Sequence, residues 1–267
     1  MKPALNFFLA LIFTLGTLSA KSFTPTFAPK SDSSSRFKQS KLYKHKKLVV
    51  RSMIALGYAG AAFGSFHCAD RDIQMQSQEI RTSSLNKVSD HVSKMGEGSK
   101  HFMASGGLFA AGYLMRDVKL QKTAFLWAST LIVNDAFSFQ LKRVFQRHRP
   151  NTGNAPNTFD GFEGPGENTS FPSAHSSTAF ATATVFATMY RDKKWVPPLA
   201  YGMASLVAAS RVYNNVHWCS DIMVGAAVGF LSAKGVMGLY NLANKKMMVV
   251  IPQLGSKYNG LQVMYKF

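Results

Sequence analysis

Two basic residues, Lys142 and Arg149, stand seven positions apart in the run Lys142–Pro150, directly after an apolar stretch. Seven residues make two helical turns, so this spacing predicts that both cations project from one helix face and that Pro150 ends or follows the helix. An ammonium and a guanidinium aimed at one point suit a phosphate group. Taken alone, the same pattern is also typical of a solvated basic face.

A second segment, 171–177, places Ser173, Ala174 and His175 between a loop rich in Gly, Asn and Pro and an apolar helix predicted to begin near Ser177. A helix start leaves backbone amides without acceptors, and the Ser173 hydroxyl adds another donor, so an anion site is predicted here. His175 would face the bound anion with a proton to donate. A helix cap beside an incidental histidine is the alternative interpretation.

A third cluster lies within Ser210–Asp221. His217 and Asp221 are four residues apart, which on a helix lets the carboxylate hold one imidazole nitrogen and turn the other outward as a base or nucleophile. Arg211 supplies a further guanidinium for an oxyanion. A structural salt bridge has the same spacing, so this cluster alone does not establish catalysis.

Together, the three clusters closely resemble the signature of the type 2 phosphatidic acid phosphatase (PAP2) superfamily, which bacterial acid phosphatases and vanadium haloperoxidases share. The matching patterns are Lys-x6-Arg-Pro, Pro-Ser-x-His and Ser-Arg-x5-His-x3-Asp, over residues 142–221. The one departure is Ala174, where the family most often has Gly, and a small residue still allows close backbone approach. The resemblance implies membership in an exported bacterial phosphatase branch.

The resemblance also implies a role for each motif residue. His217 would attack phosphorus, Asp221 would orient His217, and His175 would protonate the leaving alcohol and then activate water. The implied phosphate-binding residues are Lys142, Arg149, Ser173, Ala174 and Arg211. No cofactor is expected, and no metal either, since the sequence has no His-Glu-x-x-His and no paired Cys-x-x-Cys spacing.

Apolar stretches separated by short polar breaks dominate the chain after residue 51. They lack the strict alternation of strands, so an all-α helical bundle is predicted. The resemblance implies that this bundle is of the PAP2/haloperoxidase type. The predicted helical stretches are Ser52–Phe66, Phe102–Met115, Thr123–Leu141, Ser177–Tyr190, Trp195–Ala209 and Ile222–Leu239, with one or two amphipathic surface helices over Asp70–Lys100. Alternation around Tyr258, Asn259 and Gly260 predicts a short C-terminal β-hairpin packed against the helices.

Four segments follow along the chain: a signal peptide (1–20), a basic flexible linker (21–51), a PAP2-type helical phosphatase domain (52–245) and the C-terminal hairpin (246–267). Lys2, an apolar run and the small residues before Lys21 predict cleavage after Ala20, with an uncleaved anchor as the alternative. The linker carries nine Lys and Arg against Asp32 alone, so it either stays in solvent or contacts anionic lipid head groups.

Export predicts a location in the periplasm or cell envelope. Most charge-free runs are shorter than the ~20 residues of a membrane span, so a buried helical core that is membrane-associated or partly embedded is expected. Cys68 and Cys219 are the two cysteines, and in an exported chain they either form a disulfide or remain as two buried thiols.

The composition of the 267 residues, with 46% hydrophobic and 16% charged residues, excludes a disordered tail and a disulfide-stapled mini-protein. A formal net charge of +18 suits a nucleic-acid binder, but much of the excess lies in the linker and in the phosphate pocket, so no nucleic-acid partner is expected. The expected partners are a phosphorylated lipid or small phosphoester as substrate and an anionic membrane surface. The oligomeric state is not indicated.

The resemblance therefore implies a metal-independent phosphatase that hydrolyses lipid-linked phosphomonoesters or pyrophosphates through a phosphohistidine. A phosphotransferase and a vanadium-dependent haloperoxidase use the same oxyanion pocket and are the nearest alternatives. A non-catalytic envelope protein, with the helical body as a scaffold, is the alternative from another class.

Overall fold

The structure, a computed structural model, describes residue 64 and residues 69–245, 249–254 and 259–264. The predicted signal peptide, the basic linker, Cys68 and all but one residue of the first predicted apolar helix lie outside the described residues.

The described chain is helical from residue 69 to residue 245, apart from short turns and one long loop over 146–173. The helices are α1 (69–79), α2 (Ser83–Lys94), α3 (Gly98–Leu114), α4 (Val118–Phe145), α5 (Ala174–Met189), α6 (Val196–Tyr213) and α7 (Cys219–Lys245), with a 3-10 helix at Pro150–Thr152. The predicted all-α bundle is confirmed, and α3 to α7 follow the stretches that the apolar pattern indicated.

Side-chain caps explain where two of the early helices begin. The Thr82 hydroxyl accepts a hydrogen bond from the amide of Leu85 at 3.3 Å, and the Asp117 carboxylate accepts one from the amide of Leu120 at 3.0 Å. Each cap satisfies an amide that has no acceptor within its helix. The predicted surface position of the segment Asp70–Lys100 is wrong at its first residue, because Asp70 in α1 is fully buried.

Helix α5 lies in the middle of the bundle and packs against α3, α4, α6 and α7. Two buried apolar clusters fix its position. One joins α5, α6 and α7 around Phe180 and Val207, and the other joins α4, α5 and α7 around Leu126 and Val185. Because α5 is packed on all sides, its first residues are held rigidly at one end of the bundle.

The contact between α5 and α7 depends on two glycines of α7. A Cβ at Gly225 would lie 2.5 Å from the carbonyl oxygen of Ser173, and one at Gly229 would lie 2.0 Å from that of Ser177. These distances are far below van der Waals contact, so only glycine lets the two backbones approach so closely.

Two short strands follow the helices at the end of the described chain. Strands β1 (Val249–Leu254) and β2 (Asn259–Met264) pair antiparallel, with Leu254 opposite Asn259. Asn259 and Gly260 belong to the second strand and not to the connection, which is formed by residues 255–258 outside the described ranges.

One helix among those described, over Cys219–Asn244, is long and apolar enough to cross a membrane by length and composition. A substantial part of this helix is buried inside the bundle. Large apolar side chains also lie exposed on α4, among them Phe125, Ile132 and Phe139.

Substituting Gly229→Ala is expected to destabilise the protein by roughly 1–3 kcal/mol, because the added methyl forces α7 away from α5. Gly235→Ala is the matched control on the same helix, since a Cβ there meets no atom within 4 Å. The control is expected to be neutral or to stabilise by up to about 1 kcal/mol through helix propensity. Urea unfolding of the two variants measures the difference, and equal midpoints would contradict the close contact.

Candidate active site

The end of α4 does not continue as the motif spacing predicts. The helix ends at Phe145, and Gln146 follows it in the left-handed conformation with φ of 44°. The Gln146 side chain then donates to the carbonyl oxygens of Gly161 and Gly164, at 2.7 and 3.1 Å, and so ties the long loop to the helix end. Lys142 and Arg149 therefore do not share a helix face, and this prediction is wrong.

The loop nevertheless brings the two cations together. The Lys142 ammonium donates to the carbonyl oxygen of Thr169, and the Arg149 guanidinium donates to the Thr169 hydroxyl at 3.3 Å. Burial, with Arg149 close by, lowers the pKa of Lys142 to about 8. Thr169 thus holds both cations at one side of the candidate site, which we call the cup and which comprises Lys142, Arg149, Ser173, Ala174, His175, Arg211 and His217. The chain brings Arg149 there by turning back after α4, not by helical periodicity.

The start of α5 forms the floor of this cup. Ser173 is its N-cap, and its fully buried hydroxyl oxygen accepts from the amide of Ser176 at 3.5 Å. The hydroxyl hydrogen remains available as a donor, and the amides of Ala174 and His175 lie in the first turn, where amides have no acceptor within the helix. The helix begins at Ala174, three residues before the predicted start near Ser177, and its first-turn amides therefore lie in the segment where an anion site is predicted.

Arg211 enters the cup from the last turn of α6. Its guanidinium donates to the hydroxyl of Ser93 in α2, and its buried Nε has no hydrogen-bond partner within the described residues. Burial, with Arg149 close by, lowers the pKa of Arg211 to about 10. The turn between α2 and α3 closes against this side, where a Cβ on Gly96 would come within 3.1 Å of the Cβ of His175.

His217 lies in the turn before α7, not on the helix. The expected i, i+4 helical pair is therefore wrong in its local structure, because α7 begins only at Cys219. The two residues still meet, because the Asp221 carboxylate reaches back from the first turn and accepts from the amide of Trp218 at 2.9 Å. This is the geometry of an acidic residue at the third helical position that caps its own helix start.

The contact between His217 and Asp221 is close but not yet a hydrogen bond. Nδ1 of His217 lies 3.5 Å from Oδ2 of Asp221, and this buried nitrogen has no hydrogen-bond partner within the described chain. The same oxygen accepts from the Ser170 hydroxyl at 2.5 Å. Such contacts commonly tighten only when a substrate is bound.

Both imidazoles are pushed toward the neutral form. Burial, followed by the positive charge of Arg211, lowers the pKa of His175 to about 4, against an opposing effect of Glu97. Burial also lowers the pKa of His217 to about 4, although Asp221 opposes this. At neutral pH both rings are therefore uncharged, which leaves a free nitrogen lone pair on each.

Several residues that hold the site together were not predicted from the sequence. They are Asp70, Ser93, Arg147, Thr169, Ser170 and Ser220. Arg147 lies inside the first basic run, but nothing in its local pattern separates it from the other basic residues of the run, none of which is buried. Asp70 lies 72 residues before Lys142 and belongs to no motif, so no local signal indicates it.

The described residues contain no group of three His, Cys, Asp or Glu side chains that could hold a metal ion. Cys219 is a buried free thiol, and its predicted partner Cys68 lies outside the described residues.

The chain was compared with protein families and with known proteins. The model of the PAP2 superfamily matches residues 123–245, which include all three motifs. A lipid A 1-phosphatase of Porphyromonas gingivalis is 38% identical over 110 residues, which cover 38% of this chain and 22% of that protein. The chain therefore spans about a fifth of the length of this curated relative.

Two solved structures share the fold. One is LpxE of Aquifex aeolicus, with a TM-score of 0.50, 21% identity, and coverage of 63% of this chain and 94% of that one. The other is a transmembrane PAP2-type phosphatidylglycerolphosphate phosphatase of Bacillus subtilis, with a TM-score of 0.53, 22% identity, and coverage of 72% and 96%. Residues 123–245 of this chain match the model of the PAP2 superfamily, and the motifs and the shared fold agree with that match.

Proposed function

We propose that this protein is a phosphatase that hydrolyses a lipid-linked phosphomonoester or pyrophosphate through a phosphohistidine. The observation that carries the proposal is the convergence of three cations, one helix start and two neutral imidazoles on one cup. The names of the relatives, a lipid A 1-phosphatase and a phosphatidylglycerolphosphate phosphatase, support a lipid as the substrate class.

The phosphate would lie against the start of α5. Lys142, Arg149 and Arg211 would neutralise its oxygens, while the Ser173 hydroxyl and the Ala174 amide would donate hydrogen bonds to them. These donors are fixed by packing before the substrate arrives. They would therefore stabilise the charge that builds up on the equatorial oxygens in the transition state without reorganisation.

In the first step, the Nε2 lone pair of His217 attacks phosphorus and the bond from phosphorus to the leaving oxygen breaks. His175 donates its proton to that oxygen, so the product leaves as a neutral alcohol. The imidazole of His217 becomes cationic as the nitrogen–phosphorus bond forms. Asp221 faces its Nδ1 at 3.5 Å and balances this charge.

In the second step, His175 is neutral and takes a proton from water. The resulting hydroxide attacks phosphorus, the nitrogen–phosphorus bond breaks, and inorganic phosphate leaves. His217 returns to its neutral form, and the proton that His175 gained is used in the next cycle.

His175 needs a proton for the first step, although burial and the nearby cations lower its pKa to about 4. Part of this depression comes from Arg211, Lys142 and Arg149. A bound phosphate brings about two negative charges close to these three cations and offsets their effect on the pKa of His175. We therefore expect the pKa of His175 to rise toward neutral when the substrate binds, which supplies the acid where and when it is needed.

We further propose an exported protein that acts in the periplasm or cell envelope and is associated with the membrane. The predicted signal peptide, the candidate span Cys219–Asn244 and the exposed apolar side chains of α4 support this location. A site at the membrane surface would give the cup access to the head group of a lipid.

Replacing His217→Ala is expected to lower phosphate release by roughly 10⁴-fold or more, because the covalent step is lost. His91→Ala is the matched control, since His91 is exposed on α2 and its ring forms a hydrogen bond with the carbonyl oxygen of Lys87 on the same helix. Phosphate release from lipid A, phosphatidylglycerol phosphate, phosphatidic acid, prenyl pyrophosphate and a soluble aryl phosphate measures both activity and preference. Turnover that survives in His217→Ala would exclude His217 as nucleophile, and a preference for the aryl phosphate would exclude the lipid.

Replacing His175→Ala is expected to separate the two steps when the leaving group is a good one. An aryl phosphate needs little acid catalysis to lose its phenolate, so the phosphohistidine still forms, while its hydrolysis lacks a base. Rapid-mixing kinetics should show a burst of about one equivalent of phenol per enzyme from the aryl phosphate, a fingerprint of covalent catalysis, whereas an alkyl phosphate should release no burst of its alcohol. Equal slowing of both substrates without a burst would contradict the assigned role.

The lowered pKa of Lys142 makes anion binding depend on pH. Since that pKa lies at about 8, Lys142 is mostly charged below this pH and mostly neutral above it. Inhibition by inorganic phosphate should therefore weaken between pH 7 and pH 10 in the wild type, by up to about tenfold per pH unit above 8. The Lys142→Arg variant keeps its charge and should show a flatter profile. Identical slopes in the two proteins would contradict this assignment.

A further inference from the structure

Three ionisable side chains are buried together behind His217. Arg147, Asp70 and Asp221 are each 0% exposed. One guanidinium nitrogen of Arg147 lies 2.6 Å from Oδ1 of Asp221, and the other lies 2.7 Å from Oδ2 of Asp70. The fork of Arg147 thus bridges two carboxylates that come from helices far apart in the sequence.

The remaining hydrogen bonds hold this bridge in place. Nε of Arg147 donates to the carbonyl oxygen of Pro156 at 2.8 Å, and the guanidinium lies between the rings of Phe159 and Trp218, 5.2 and 5.5 Å from their centroids. The amide and hydroxyl of Ser220 donate to Asp70 at 2.8 and 2.5 Å. Asp70 therefore binds both Arg147 and the first turn of α7, one residue before Asp221.

Within the described residues, the three side chains of this cluster do not cancel in charge. Two carboxylates and one guanidinium give them a net charge of −1, buried beside His217. If Arg147 faced Asp221 alone, the pair would be neutral, and little negative charge would remain to stabilise a cationic ring. The second carboxylate, Asp70, occupies the other half of the fork and leaves the excess charge at Asp221.

We propose that Asp70 is a positioning residue for the phosphatase reaction, which acts through Arg147 to keep Asp221 negative and aimed at His217. This role rests on the proposed function. It matters most when His217 carries the phosphoryl group, because the ring is then cationic and needs a buried counter-charge. The PAP2 match begins at residue 123, so Asp70 contributes to the site from outside the matched region.

The groups that face His217 determine in which direction its pKa should change when Asp70 is replaced. Burial lowers the pKa of His217, Asp221 raises it, and Lys142 and Arg149 lower it. Replacing Asp70→Asn changes the cluster from −1 to 0, so the charged ring loses stabilisation. The His217 pKa should therefore fall further, and the acidic limb of the kcat/KM profile should move to lower pH.

The test compares Asp70→Asn with Asp72→Asn, which makes the same charge change at an exposed position of α1. The Asp70→Asn variant is expected to lose roughly tenfold or more in kcat, the usual effect of a buried charge left without its partner. KM and inhibition by inorganic phosphate should stay within about twofold, because the phosphate-binding cations are untouched. Asp72→Asn should match the wild type in every measurement.

A double variant separates charge from mere structural support. Asp70→Asn combined with Arg147→Gln removes one charge of each sign and returns the cluster to −1. It should therefore recover part of the lost kcat and restore the acidic limb, whereas a purely structural role predicts that the double variant is worse than the single one. If Asp70→Asn does not fold, Arg147→Gln takes its place as the single variant. It changes the net charge of the cluster from −1 to −2 and should move the acidic limb to higher pH. The double variant should return the acidic limb to its wild-type position.

Titration of the His217 ring by NMR gives a readout that needs no substrate. A fall in its pKa in Asp70→Asn, with recovery in the double variant, supports the role even where no turnover is measured. A wild-type protein inactive on every substrate would remove the proposed function while this titration still tests the charge coupling. An unchanged His217 titration, or wild-type kcat in folded Asp70→Asn, would overturn the role of Asp70.

Discussion

The position of His217 depends on the buried carboxylate of Asp221. One of its oxygens accepts from Arg147, and the other accepts from Ser170 and from the amide of Trp218 while facing His217. Its backbone carbonyl accepts from the amide of Ser173, which ties the start of α7 to the start of α5. A single residue therefore connects the histidine turn, the phosphate floor and the first basic segment.

This arrangement separates two kinds of charge within a small volume. The cup carries Lys142, Arg149 and Arg211 at partly exposed positions, where an anion can reach them. The carboxylates lie behind His217 and are fully buried, so they do not compete with a phosphate for these cations. A histidine between a positive cup and a negative interior suits the proposed phosphoryl transfer, because its ring would gain positive charge as the nitrogen–phosphorus bond forms.

The sequence predicted much of this site, and what it missed has a common cause. Apolar patterning predicted α3 to α7, and the motifs predicted the residues around the cup, because both depend on short-range spacing. Predictions from this spacing were wrong where the chain departs from a helix, because Gln146 ends α4 before Arg149 and His217 precedes α7. Hydrogen bonds between distant segments decide both places. Asp70 was missed for the same reason, since only the folded chain brings it to Arg147.

The two glycines of α7 bring the starts of α5 and α7 side by side, and each helix start attracts negative charge through its unpaired amides and its dipole. At α7, two of these amides already donate to carboxylates of the protein itself, since Ser220 donates to Asp70 and Trp218 donates to Asp221. At α5, the first-turn amides of Ala174 and His175 face the cup. Of the two neighbouring helix starts, only that of α5 is therefore left to bind an entering anion, beside the proposed nucleophile His217.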